Sequence, residues 1–135
     1  MARSRRDRQA AAVASDDNDT LATALGAVAL GVGVLGALSP SLFRGMYGVS
    51  DDSAEATYLV RLFSTRNLVF GALALTATGP EERKRIATAS CALNALDVTI
   101  GLTTTSEGVG GRTRMLGVLT SAVFAAGGAV VARRA

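Results

Sequence analysis

Between Tyr58 and Ala77 the chain reads YLVRLFSTRNLVFGALALTA, a stretch long and apolar enough to cross a bilayer that nevertheless holds two arginines. An arginine at the centre of a membrane helix costs roughly 2.5–3.5 kcal/mol on insertion scales, so it must be paired, hydrated or put to use. Within the other apolar segments the only acidic residue is Asp97. The pattern therefore favours a fold in which Arg66 can reach Asp97.

The rest of the chain fits lipid as the surrounding solvent. Of 135 residues, 49% are apolar but only 4% aromatic, whereas a water-soluble domain of this length carries charge along every helix. Here the charges gather at the two ends and in three short connections. Between them lie four runs rich in Ala, Gly, Leu, Val and Thr, near 21–39, 56–78, 86–105 and 115–132. This spacing predicts an all-α fold, a four-helix transmembrane bundle spanning 21–135 behind a polar tail over 1–20.

The tail opens with Arg3, Arg5, Arg6 and Arg8, passes through alanines and ends at Asp16, Asp17 and Asp19, which reads as disordered. Arg5-Arg6 ahead of an apolar run is also the form of a secretory or twin-arginine signal. The acidic end of the charged lead, the length of the apolar run and Pro40 after Ala37-Leu38-Ser39 all argue against cleavage. The first span, Leu21 to Ser39, gives about 28 Å of helix. Asp19-Thr20 can cap its start and Pro40 limits its end. Ala22, Gly26, Ala29, Gly33 and Ala37 form a small-residue stripe, which serves close packing inside the bundle or a dimer seam.

Leu42, Phe43, Met46 and Tyr47 recur at helical spacing and predict a short interfacial helix ended by Gly48. Asp52-Ser53-Ala54-Glu55 has the form of a capping box, placing the start of the second helix at Ser53. Gly79-Pro80 breaks the chain. Glu81 to Arg85 is then a charged turn or the first turn of the third helix, whose dipole its glutamates suit. A glycine-rich connection covers 106–114. Gly117, Ser121, Ala125 and Ala129 form a second small stripe, and Arg133 and Arg134 close the chain.

With the N-terminus inside, nine Lys and Arg fall on inner segments and three, Arg44, Arg112 and Arg114, on outer ones. That bias places both termini in the cytoplasm and the chain in the inner membrane as a multi-pass protein. Tyr47 and Tyr58 then sit at the outer headgroup level. Arg66 lies about 15 Å and Asp97 about 12 Å below the outer surface, depths within one helical turn of each other. Arg61, about 140° around the helix from Arg66, cannot share its face and is expected to snorkel toward Asp51, Asp52 or Glu55.

Ala87, Ser90, Asn94, Asp97, Gly101 and Thr104 form a small, polar stripe on the third span. Ser90, Asn94 and Arg61, with Asn67 beside Arg66, make up the supporting polar set. Two readings stay open: hydrogen bonding that fixes helix packing, or a site for a proton, ion or polar headgroup.

Much chemistry is excluded. The chain has no histidine and a single cysteine, Cys91, so the commonest metal ligand and general base are missing and an internal disulfide is impossible. No metal-binding, phosphate-loop or nucleophile motif occurs. No cofactor is expected, nor an enzymatic role. The basic tail, balanced by aspartates, does not point to nucleic acid. The partners expected are the lipid bilayer and a second copy or another membrane protein.

The run Pro40-Ser41-Leu42-Phe43-Arg44-Gly45-Met46-Tyr47-Gly48, then Arg61-Leu62-Phe63-Ser64-Thr65-Arg66-Asn67-Leu68 with Gly71, then Asp97, resembles the DoxX-like group of small four-helix bacterial membrane proteins. The resemblance covers roughly Leu21 to Ala132. It implies an integral membrane bundle and, for most such proteins, no established activity. Some relatives in that group are linked to redox or thiol partners. A chain without histidine and with one cysteine in an apolar run does not inherit that role.

Overall fold

The computed structural model describes residues 2–104 and 109–135, and these are helical apart from short connections. The helices are α1 (Ala2–Leu38), α2 (Pro40–Tyr47), α3 (Ala54–Thr76), α4 (Pro80–Thr103) and α5 (Gly111–Arg134). Of the glycine-rich connection expected over 106–114, residues 106–108 lie outside the described residues, as does Thr105 at the expected end of the third span.

The polar tail expected to be disordered is helical in the structure, as the first part of α1. Alanines, arginines and glutamine are strong helix formers, and this run holds neither glycine nor proline. Thr20, expected with Asp19 to cap a helix at Leu21, instead bonds back along a helix already under way, as Ser15 does. Ser15 Oγ donates to the Ala12 carbonyl at 2.8 Å and Thr20 Oγ1 to that of Asp16 at 2.9 Å. Pro40 does end α1, and the chain restarts there, because proline is tolerated at the first position of a helix.

Gly48 stops α2 with φ 72°, the left-handed conformation glycine adopts without strain. The Val49 amide returns to the Arg44 carbonyl at 2.9 Å, closing the helix end. The start of α3 departs from the expected capping box. Ser53 is itself the cap and accepts from the Ala56 amide at 3.1 Å, while Asp51 accepts from the Ser53 amide and hydroxyl at 2.9 and 3.0 Å. Asp52 and Glu55 take no part. The charged segment after Pro80 belongs to α4, with Glu81 and Glu82 in its first turn.

The helices assemble as two antiparallel pairs, α1 with α3 and α4 with α5. Within the first pair the backbones all but touch. A Cβ on Gly33 would sit 2.5 Å from the Leu68 amide nitrogen, and one on Gly71 would sit 2.8 Å from the Gly26 carbonyl oxygen. Gly36 faces Ser64 just as closely, and Ser64 is fully buried with its hydroxyl donating to Val60 at 2.6 Å. The buried face of α1 runs Asn18, Ala22, Gly26, Ala29, Gly33, Gly36, so the small stripe ends on Gly36 rather than on Ala37. Of the expected stripe on α5 Ser121 is buried, but the close approach to Ala87 and Cys91 is made at Gly128, outside that stripe, and a Cβ on Gly117 would meet nothing.

Between the pairs contact is sparser. α1 and α5 meet along part of their length, joined at one end by Asn18, which donates to the Val131 carbonyl at 3.4 Å. An Asp19–Arg83 ion pair ties α1 to α4 at the same end. α3 and α4 barely meet.

Burial runs opposite to that of a water-soluble bundle. The interior is mostly alanine, glycine and serine, with Asn18, Phe43 and Val131 among them, while Val28, Leu62, Val69, Leu73, Leu96, Leu102, Leu119 and Val123 point outward. Among the described residues three helices, over Arg5–Leu38, Pro80–Thr103 and Gly111–Arg134, are long and apolar enough to cross a membrane. The 23-residue α3 is not among them, since Arg61, Arg66 and Asn67 lower its hydropathy.

Candidate functional site

Where α3 and α4 pass each other with few contacts, one interaction joins them. Arg66 donates to Asp97 through both terminal nitrogens, Nη1 to Oδ1 at 3.1 Å and Nη2 to Oδ2 at 2.7 Å. This two-pronged arrangement matches the planar fork of guanidinium to the planar carboxylate. Both side chains are mostly buried, 25% and 24% exposed.

Arg66 is steered from within its own helix. Its Cζ lies 4.7 Å from the centre of the Phe63 ring, one turn earlier, so the cation rests on an aromatic face. Phe63 contacts Phe43 of α2 at 5.9 Å between centroids, and Phe43 stacks on Tyr47 at 4.8 Å. The Tyr47 hydroxyl donates to Thr120 of α5 at 3.5 Å. An aromatic row thus connects the arginine to α2, and α2 to α5.

The other residues expected at this site play smaller parts. Asn67 Nδ2 donates to the Phe63 carbonyl at 2.9 Å and Asn94 Nδ2 to that of Ser90 at 2.8 Å, so both amides bond within their own helices. Asn94 also touches the Ser90 hydroxyl at 3.4 Å. Neither reaches the ion pair. Arg61 is exposed, and among the described residues it forms no ion pair with Asp51, Asp52 or Glu55. The expected partner Asp51 instead turns toward Ser53. The Ser53 amide, then its hydroxyl, then the charge of Arg44 hold the Asp51 carboxyl below its ordinary value of 3.8. The stripe on α4 does face inward, since none of Ala87, Ser90, Asn94, Asp97, Gly101 and Thr104 is exposed.

Asp97 also forms part of the wall of a cavity of about 380 Å³, at the end of the bundle where α2 lies. All four helices after α1 contribute to it. Phe43, Leu59, Phe63, Ile100 and Val118 make its wall apolar, and Arg44 and Arg114 bring two further cations to it. Arg44 Nη1 donates to Thr57 Oγ1 at 2.6 Å, and Arg114 Nη1 to the Thr104 carbonyl at 3.0 Å. A volume in the range of small-molecule sites, apolar walls and a few converging polar groups are the usual marks of a binding pocket.

Sequence reasoning did not find this cavity, because its arginines lie on α2 and α5, far apart in the chain. A second void, of about 50 Å³, lies between the helix pairs toward the other end and is lined mainly by Ala22, Phe70, Ile86, Phe124 and Val131. It is small and apolar, the kind that stays dry.

Among the described residues no three potential metal ligands cluster, and Cys91 is a free thiol packed against Gly128. No family model, no curated protein and no solved structure matches the chain.

Proposed function

We propose that this chain is a four-span protein of the cytoplasmic membrane, of the DoxX-like kind. In this reading it is a non-enzymatic structural or partner subunit, and the Arg66–Asp97 pair locks one helix pair to the other. The observation that carries this is the two-pronged ion pair at the α3–α4 seam, where little else joins the two helices. α3 becomes the fourth span once its arginine is neutralised by Asp97, since pairing removes most of the reason for keeping it out of lipid. α2, with Phe43 turned inward and Leu42 and Met46 outward, lies along the outer interface. The distribution of Lys and Arg supports an orientation with both termini in the cytoplasm.

A second reading draws on the exposure of Asp97 to the cavity. In that reading the chain is an oligomeric, ion-coupled carrier, Asp97 is the coupling acid and Arg66 releases it during the cycle. Asp97→Asn separates the two. As a lock, the variant loses folded protein and recovers it when Arg66 is neutralised too. As a carrier, it assembles normally and abolishes ion flux in liposomes.

The topology is tested by single cysteines in a Cys91→Ala background. Asp52→Cys should react with an impermeant maleimide added to intact cells, and Glu81→Cys only after permeabilisation. The reverse pattern would overturn the orientation.

A further inference from the structure

We propose that the cavity beside Asp97 binds an anionic phospholipid. Its phosphate is held by Arg44 and Arg114, and one acyl chain lies along the seam between α3 and α4. The proposal rests on the membrane reading above and adds a ligand to it.

Charge selects an anion. Both oxygens of Asp97 are already bound by Arg66, so the carboxylate has little left to offer a cationic guest. Among the described residues, the other charged groups lining the cavity are the two guanidiniums. Each spends one terminal nitrogen on the protein, Arg44 on Thr57 and Arg114 on Thr104. A guanidinium has five N–H donors in a fork suited to phosphate oxygens, so among the described residues most of that capacity is unused. Thr113 lines the same cavity.

Shape selects a lipid rather than a free phosphate. Leu59 on α3 and Ile100 on α4 both line the cavity, yet each is 61% exposed. The cavity wall is therefore continuous with the outer, lipid-facing surface of those two helices. Because α3 and α4 barely meet there, the opening is lateral. A chain from the bilayer can lie in it while its headgroup stays with Arg44 on α2 and Arg114 in the first turn of α5, at one end of the bundle.

The protein has no tryptophan, so an introduced one reports its own surroundings. Leu59→Trp places the reporter at the cavity, and Leu73→Trp places it further along α3 on an exposed face. Each full-length variant is reconstituted with brominated phosphatidylglycerol or brominated phosphatidylcholine at equal mole fractions.

The expected result is quenching of Leu73→Trp by both lipids alike, and of Leu59→Trp with roughly fivefold preference for phosphatidylglycerol, the size of one near-surface basic contact. Arg44→Gln and Arg114→Gln should each reduce that preference, Arg114→Lys should retain part of it, and Arg133→Gln at the opposite end should leave it unchanged. Helicity is checked for every variant, and the Lys variant carries the test if a Gln variant loses its fold.

Equal quenching of Leu59→Trp by the two lipids, with Leu73→Trp quenched normally, overturns the lipid site alone. So does a preference that survives both arginine variants. Loss of the preference on adding inorganic phosphate at matched ionic strength would show a phosphate site without a chain, and also overturns it. A Leu73→Trp reporter that neither lipid quenches overturns the membrane reading and this proposal together.

Discussion

Replacing Asp97 by asparagine keeps the shape of the side chain and removes the charge that holds Arg66. Two hydrogen bonds, at 2.7 and 3.1 Å, lose their ionic character, and a guanidinium only a quarter exposed is left without a counter-ion. Breaking a fully buried pair costs about 3–5 kcal/mol, and the partial exposure here places the cost near 3 kcal/mol. The Phe63 ring stays 4.7 Å from the cation and retains about 1 kcal/mol of favourable interaction. A loss of about 3 kcal/mol lowers the folded-to-unfolded ratio by roughly a hundredfold.

Removing the stranded charge as well should recover most of that loss. The double variant Arg66→Met, Asp97→Asn is expected within about 1 kcal/mol of the wild type, because an apolar replacement avoids the desolvation that offsets much of an ion pair's gain. The assay is reversible unfolding in mixed micelles followed by far-ultraviolet circular dichroism, with the two single variants and the double closing a cycle. A single variant as stable as the wild type would refute the reasoning. A double variant as unstable as the single one would refute it equally.

Two further expectations concern the α1–α3 interface and the entrance to α3. Gly33→Val and Gly71→Val should each abolish folding of the pair, since their side chains would enter backbone atoms of the facing helix. Gly31→Ala and Gly117→Ala meet nothing within 4 Å and should stabilise by up to about 1 kcal/mol each through helix propensity, as thermal unfolding would show. At Asp51 the folded carboxyl titrates below 3.8. Its contribution is thus complete above the unfolded value and fades as pH falls through the lowered one. A carboxyl-carbon titration by magnetic resonance should place the Asp51 midpoint below that of the free side chain, and Ser53→Ala should raise it.

The ion pair could be anticipated because it needed little geometry. Two charged residues in two apolar runs, each a known number of residues from the outer surface, bring themselves to similar depths through the helical rise alone. The inward stripe on α4 was legible for a related reason: Asn94 and Asp97 do not face hydrocarbon when an alternative exists.

What could not be read was the rotation of the helices without such markers. When both faces of a helix are apolar, the 3.6-residue period that normally marks its inner side is absent. Gly127 and Gly128 are adjacent, and nothing in the order of residues says that Gly128 is the one set against Ala87 and Cys91. The partnering of α1 with α3 was hidden likewise, because Gly26, Gly33 and Gly36 would suit any close neighbour. The helical tail was misread from its charge, when its alanines and arginines favour helix irrespective of burial.

The pairing of α1 with α3 also bears on how the chain is made. During synthesis α1 reaches the membrane first and must wait through α2 for the surface it packs on. α3 then arrives with Arg66 unpaired, at a cost of roughly 2.5–3.5 kcal/mol, while Asp97 is still some thirty residues from emerging by the spacing of the two positions. A chain stopped at Thr78 should therefore leave a terminal tag on the outer side in protease protection, whereas a chain stopped at Thr104 should draw the α3–α4 connection inside. Equal insertion of the two would overturn this order. Under the four-span proposal, the third helix is thus committed to the bilayer only when the fourth delivers its counter-charge.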